Sequence, residues 1–297
     1  MKILGRLSLA AVITAYAEVL LGSWTRINGA GMTCPDYPLC HGVIVPAMGG
    51  GTVWEWTHRL LAATLSLVVI AVLYRAYRVR REAPFITPLG LTIALLFAFQ
   101  VFLGAATVHL SNSPISVVWH WGTAMLFVAS LTILALLSLT WNRRENAATS
   151  RVLAGGLAGT AFIAFVTMCI GAYVSSSGAG LACLDIPQCA GNVVVYTQGQ
   201  YVQMLHRFVA AAALLSGCIV FALAWLRETP ARVRIMTSVG FGLLIVQVLL
   251  GLLNVALRLP IDLREAHAAN AALVFLAFIC AAAFAAFEER GEYVSAR

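Results

Sequence analysis

Residues 22–40 read GSWTRINGAGMTCPDYPLC, and residues 171–189 read GAYVSSSGAGLACLDIPQC. Set over one another at an offset of 149, Gly22, Gly29, Ala30, Gly31, Cys34, Asp36, Pro38 and Cys40 fall on Gly171, Gly178, Ala179, Gly180, Cys183, Asp185, Pro187 and Cys189. The match runs on. His58 and Arg59 fall on His206 and Arg207 at an offset of 148; Gln100, Gly104 and His120 fall on Gln247, Gly251 and His267 at an offset of 147. A drift of two residues is what small loop deletions leave behind. An ordered series of this kind marks a tandem duplication, with halves at 1–146 and 147–297.

The chain between these motifs is apolar. Hydrophobic residues make up 61% of the 297, and charged residues only 10%, against about 25% in soluble domains. Mean hydropathy is +0.89. So little charge cannot clothe a surface facing water, so lipid is the expected solvent. Eight stretches are long enough to span, at about 7–26, 56–76, 87–108, 118–140, 152–174, 203–226, 235–257 and 265–287. Lipid offers no partner for backbone polar groups, so each stretch is read as an α-helix. The fold class is an all-α integral membrane protein of two four-helix bundles. The basic first segment resembles a signal peptide, but without a convincing cleavage site it reads as a retained helix.

The net charge of +7 is no nucleic-acid signal, because the positive residues sit in short clusters between spans. Fourteen of the 19 basic residues fall on one side of an eight-crossing chain. They are Arg75, Arg78, Arg80, Arg81, Arg143, Arg144, Arg151, Arg227, Arg232, Arg234, Lys2, Arg6, Arg290 and Arg297. The positive-inside rule places these loops and both termini in the cytoplasm, and the cysteine loops on the outer side of the cell membrane. Each half has an even number of spans, so the halves share one orientation, and their pseudo-twofold axis is expected along the membrane normal.

Cys34 and Cys40 share one outer loop, and Cys183 and Cys189 share the other, both at C-x5-C spacing. An oxidising compartment favours a disulfide in each. The rival readings are a metal site, for which zinc pairs are usually closer, and free thiols. Cys169, Cys218 and Cys280 read as small apolar fillers.

Of six histidines, four are duplicated: His58 and His206 near the outer start of the second helix of each half, and His120 and His267 near that of the fourth. Two imidazoles at one depth on facing helices can grip one iron from both sides of a porphyrin. A lone intramembrane histidine is often only a helix linker, but four in register point to haem. His41 and His109 have alanine counterparts and read as loop and helix-end residues. Glu55 lies one turn before His58, while the residue before His206 at that place is Gln203. A carboxylate beside one pocket and an amide beside the other suggests a reactive first half and an electron-carrying second half; the plainer reading of Glu55 is an acidic residue at a helix N-terminus. Arg59 and Arg207 either pair with haem propionates or reach to headgroups.

The GAG-x2-C-x5-C loop, EWTHR at 55–59, WHW at 119–121, and GAGLAC, LHR and EAHAAN in the second half resemble the haem A synthase family over essentially the whole chain. The resemblance implies an eight-helix membrane oxidoreductase. Its reaction turns the C8 methyl of haem O into a formyl group, by two hydroxylations and loss of water from a gem-diol. It implies His58 and His120 facing the substrate haem, Glu55 as the essential acid, and His206 and His267 ligating a permanent haem b. It also implies a structural Cys183–Cys189 disulfide, and a Cys34–Cys40 pair present in some members only. A haem O synthase and an electron donor or acceptor are the implied partners. A non-catalytic diheme b-type cytochrome is the alternative; a haem transporter and a thiol–disulfide exchange role for the first loop fit less.

Overall fold

The computed structural model describes residues 1–141, 149–189, 191 and 195–294, with side chains described through 286. The candidate half boundary at 146/147 and the basic residues Arg143 and Arg144 lie outside the described residues, as do Arg297 and the side chain of Arg290. The helices are α1 Lys2–Ile27, α2 Thr52–Arg78, α3 Ile86–His109, α4 Pro114–Thr140, α5 Arg151–Ser176, α6 Gln198–Leu226, α7 Ala231–Ala256 and α8 Ile261–Val294. A 3-10 turn, Ala179–Leu181, precedes α6. All eight helices are long and apolar enough to cross a membrane, and the described residues contain no strand. The chain is an all-α multi-pass membrane protein. Several helices outrun their apolar stretches: α2 begins at Thr52 and α6 at Gln198, so Glu55 and Gln203 lie inside helices. Helix caps explain some of these ends. Ser113 accepts from the Ser116 N–H with Pro114 following it, and Thr197 and Gln200 form a reciprocal capping box at the start of α6.

The chain divides into two compact units, Met1–Trp141 and Asn142–Arg297. In the first, α1 packs on α2 and α4, and α3 packs on α4. In the second, α5 packs on α6 and α8, and α7 packs on α8. The units repeat one another in detail at the end that carries the cysteines. Gly29 and Gly178 take the same left-handed conformation, φ 71° and 73°. The α3–α4 turn passes through Ser111 and Asn112 at φ 50° and 52°, and the α7–α8 turn through Arg258 and Leu259 at φ 63° and 61°. These turns come back against the loop glycines. The Asn112 amide donates to the Gly31 carbonyl at 2.8 Å, and Leu259 lies against Gly180.

Without a hydrophobic drive between helices in lipid, close packing must hold them, and small residues permit it. Phe278 on α8 is fully buried, its ring against the bare Cα of Gly240 on α7, where an added Cβ would meet Cζ at 3.2 Å. Gly240→Leu is expected to overpack this contact and destabilise the second unit by about 1–3 kcal/mol. Thermal unfolding in detergent checks this, and an unchanged midpoint would show that α7 has room to shift.

Candidate functional site

The cysteine loops are fastened to the helices below them. Both carry a disulfide, Cys34–Cys40 and Cys183–Cys189, and both have a cis prolyl bond, Tyr37–Pro38 and Ile186–Pro187. Neither cysteine pair is left over as a metal site, and the described residues contain no metal-binding cluster of histidine, cysteine and acidic side chains. Cys169, Cys218 and Cys280 are free thiols.

Glu55 and Gln203 do matching work under these loops. Glu55 Oε2 accepts from the Cys34 N–H at 2.9 Å and the Thr33 hydroxyl at 3.0 Å. Gln203 Oε1 accepts from the Cys183 N–H at 2.5 Å, and its amide donates to Gly180 O at 2.8 Å. Arg59 and Arg207 face the same loops. Arg59 donates to the carbonyls of Cys34, Asp36 and Leu39 and to Glu55 Oε1, the last at 2.7 Å. Arg207 donates to the carbonyls of Cys183, Asp185, Pro187 and Gln188. In both units, then, the two residues flanking the first histidine hold the disulfide loop in place.

The four duplicated histidines each lie within the first turns of their helices, at the disulfide end, and each is half-buried. Each ring rests edge-on against a glycine of the preceding helix. An added Cβ would meet the ring Cε1 at 2.7 Å for Gly22 and His58, 3.4 Å for Gly104 and His120, 2.9 Å for Gly171 and His206, and 3.2 Å for Gly251 and His267. The second pair's rings stand 6.5 Å apart, centre to centre, at 71°. Two metal–imidazole bonds of about 2.0–2.1 Å, plus the reach from each nitrogen to its ring centre, span a gap of about that size.

The last helix of each unit is also tied through a glutamine. Gln100 Nε2 lies 3.0 Å from His120 Nδ1, and Gln247 Nε2 lies 3.2 Å from each ring nitrogen of His267. These glutamines belong to the repeat, but in the sequence they stand only as matched letters. Glu18 on α1 was missed altogether: its Oε1 lies 2.9 Å from His58 Nδ1. An acidic side chain inside an apolar span, one turn before the repeated Gly22, was the available signal. His41 and His109 are exposed, away from these contacts.

Eight apolar helices in two matching units, with glycine-cradled histidines at the disulfide end of each, define a multi-pass membrane protein of duplicated design. Residues 50–279 match the cytochrome oxidase assembly protein family COX15-CtaA, and the chain belongs to that family. The heme A synthase of Bacillus licheniformis is 28% identical over 278 residues, covering 90% of this chain and 91% of its own. That of Shewanella oneidensis is 28% identical over 307 residues, covering 88% and 90%. That of Bacillus pumilus is 30% identical over 224 residues, covering 70% and 71%.

Two outcomes follow from this geometry. Asp36 accepts from the His41 N–H at 2.6 Å and the Gly42 N–H at 2.8 Å. The Gly42 bond above all holds its carboxyl below the ordinary value of 3.8. A depressed folded value means the stabilisation is complete above the unfolded value and is lost as pH falls through the folded one. Hydrogen-exchange protection of the His41 and Gly42 amides should therefore hold at neutral pH and collapse in strong acid; protection that persists there would discount the carboxylate. Second, Gly171→Ala should press on the His206 ring and destabilise the second unit, while Gly251→Ala, with more room, should do so less. Thermal unfolding in detergent reads both, and equal midpoints in the two variants would contradict the cradle.

Proposed function

We propose that this chain is a haem A synthase, a membrane oxidoreductase that converts the C8 methyl of haem O to the formyl group of haem A. The observation that carries the proposal is the fourfold recurrence, at matched positions, of an imidazole lying against a bare glycine, in a chain that belongs to this assembly family. The donor set fits haem: paired neutral imidazoles suit iron, and apolar helices suit the macrocycle. Buried polar atoms at the first unit's disulfide end also await partners. Trp24 Nε1, Gln100 Oε1 and Trp121 Nε1 make no hydrogen bond among the described residues.

His58 and His120 are assigned to the substrate haem, and His206 and His267 to a resident haem b, which would relay electrons when bound. Held by His58 and His120, the substrate ring would be fixed, so that its methyl edge would keep one position relative to the protein. Glu55, whose oxygens also hold the Cys34 N–H, the Thr33 hydroxyl and Arg59, is assigned as the catalytic carboxylate: it would stabilise the positive charge that develops at the methyl carbon as two electrons pass to an external one-electron acceptor and a proton is lost, with water supplying the oxygen. Its counterpart Gln203 can tether a loop but cannot carry that charge. Arg59 and Arg207, fixed over the loops, are the cations nearest in sequence to the first ligand of each pair, and are assigned to the propionates. The cysteine loops are assigned to the outer face and the termini to the cytoplasm.

Haem extraction and mass analysis of the purified protein, expressed with and without a haem O source, tests the reading: haem A should appear only with that source. Haem b alone in both preparations would favour a non-catalytic diheme cytochrome instead. Glu55→Gln retains an acceptor for the Cys34 N–H, so it should keep haem bound and stop conversion. Full turnover in that variant would remove Glu55 from the mechanism.

A further inference from the structure

The first unit places a carboxylate directly on one of its histidines, and the second does not. Glu18 sits on α1 one turn before Gly22, so both residues face the same ring. Gly22 leaves room for the edge of the His58 imidazole, while Glu18 Oε1 meets its Nδ1 at 2.9 Å. The glutamate side chain is only 12% exposed; Glu18 Oε2 and His58 Nδ1 are both buried without a hydrogen bond of good geometry among the described residues, so the 2.9 Å approach is an ion-pair contact. An ionisable group inside a span is expensive to keep there and calls for a function. At the repeat offset of 149, Glu18 corresponds to Thr167, whose hydroxyl is turned back to the Ile163 carbonyl of its own helix at 2.7 Å. His206 Nδ1 makes no hydrogen bond among the described residues.

We propose that Glu18 is a positioning residue for the substrate half: its carboxylate accepts the Nδ1–H of His58, fixing the tautomer that presents Nε2 to the iron and making that ligand more electron-donating than its counterpart His206. The inference rests on the haem reading of the first unit given above. Its physical basis is general. A metal-bound histidine that donates its second ring N–H to a carboxylate has its ring orientation fixed and its basicity raised. A more basic axial ligand favours ferric over ferrous iron, which lowers the reduction potential. Glu55 does not serve this purpose, because its oxygens are taken up by Arg59, Thr33 and the Cys34 N–H. The two carboxylates thus divide the labour: one anchors the loop beside the pocket, and the other touches the ligand.

The full-length protein, purified with its resident haem and then titrated with iron protoporphyrin IX, provides the test. Affinity is read by difference absorbance, and the potentials of the bound haems by spectroelectrochemistry. Glu18→Gln keeps an oxygen to accept from Nδ1 and removes the charge. It should bind haem nearly as well as the wild type, while the added haem becomes easier to reduce. A tenfold loss of ferric preference would read as a rise of about 59 mV for this one-electron couple. Glu18→Leu removes the acceptor as well, and should weaken haem binding by about 10–100-fold. Thr167→Glu should transfer the effect, lowering the potential of the resident haem. The resident haem should not move in either Glu18 variant. If the added haem in Glu18→Gln keeps its wild-type potential and low-spin EPR g values, Glu18 is a structural partner only and the proposal is overturned. If the wild type itself binds no added haem, the haem reading of the first unit fails before Glu18 is tested.

Discussion

The imidazole edge resting on a glycine Cα governs much of what surrounds it. A histidine inside an apolar bundle needs space for a flat ring where helices otherwise close at side-chain distance. Gly22, Gly104, Gly171 and Gly251 supply that space on the helix preceding each ring. Because the glycine is fixed by its helix, the ring can swing little towards lipid. In lipid the helices are held by close packing, so a gap made for a ring must be paired with contact elsewhere. Small residues such as Gly240 under Phe278 restore it at other levels of the bundle.

The disulfide end is the other fixed feature. Each cysteine loop must place irregular backbone at the end of a bundle, and its carbonyls and N–H groups need partners. Arg59 and Arg207 take the carbonyls, while Glu55 and Gln203 take the N–H of the first cysteine. All four residues lie within four positions of a histidine, so the loop and the imidazole are positioned by one stretch of helix. Loop and ring therefore share a common reference, which gives the disulfides a structural part at the site.

Much of this was legible in the sequence, for definite reasons. Long apolar runs set the helices, because lipid leaves the backbone no other solution. The repeat set the matched histidines, since a residue preserved through a duplication stands out against a background that has drifted. Helix ends were less legible: Thr52 and Gln198 begin their helices before the apolar stretches, because capping and loop hydrogen bonds extend a helix into polar sequence. The glycines appeared in the repeat as matched letters, but only coordinates show that they face the rings. Arg59 and Arg207 were read as facing propionates or headgroups, and the backbone carbonyls they hold have no signature in the sequence.

Glu18 escaped for the opposite reason. The repeat draws attention to what the halves share, and Glu18 is a place where they differ. Glu55 against Gln203 was seen because both stand next to a matched histidine, yet there the two side chains make equivalent contacts with the loop. At Glu18 against Thr167 the difference reaches the histidine itself: His58 Nδ1 lies 2.9 Å from a carboxylate oxygen, while His206 Nδ1 makes no hydrogen bond among the described residues. With both units proposed to hold the same kind of group through matched histidines, divergence of task falls to what touches those histidines. By that criterion α1, more than the loop, is where the first unit departs chemically from the second.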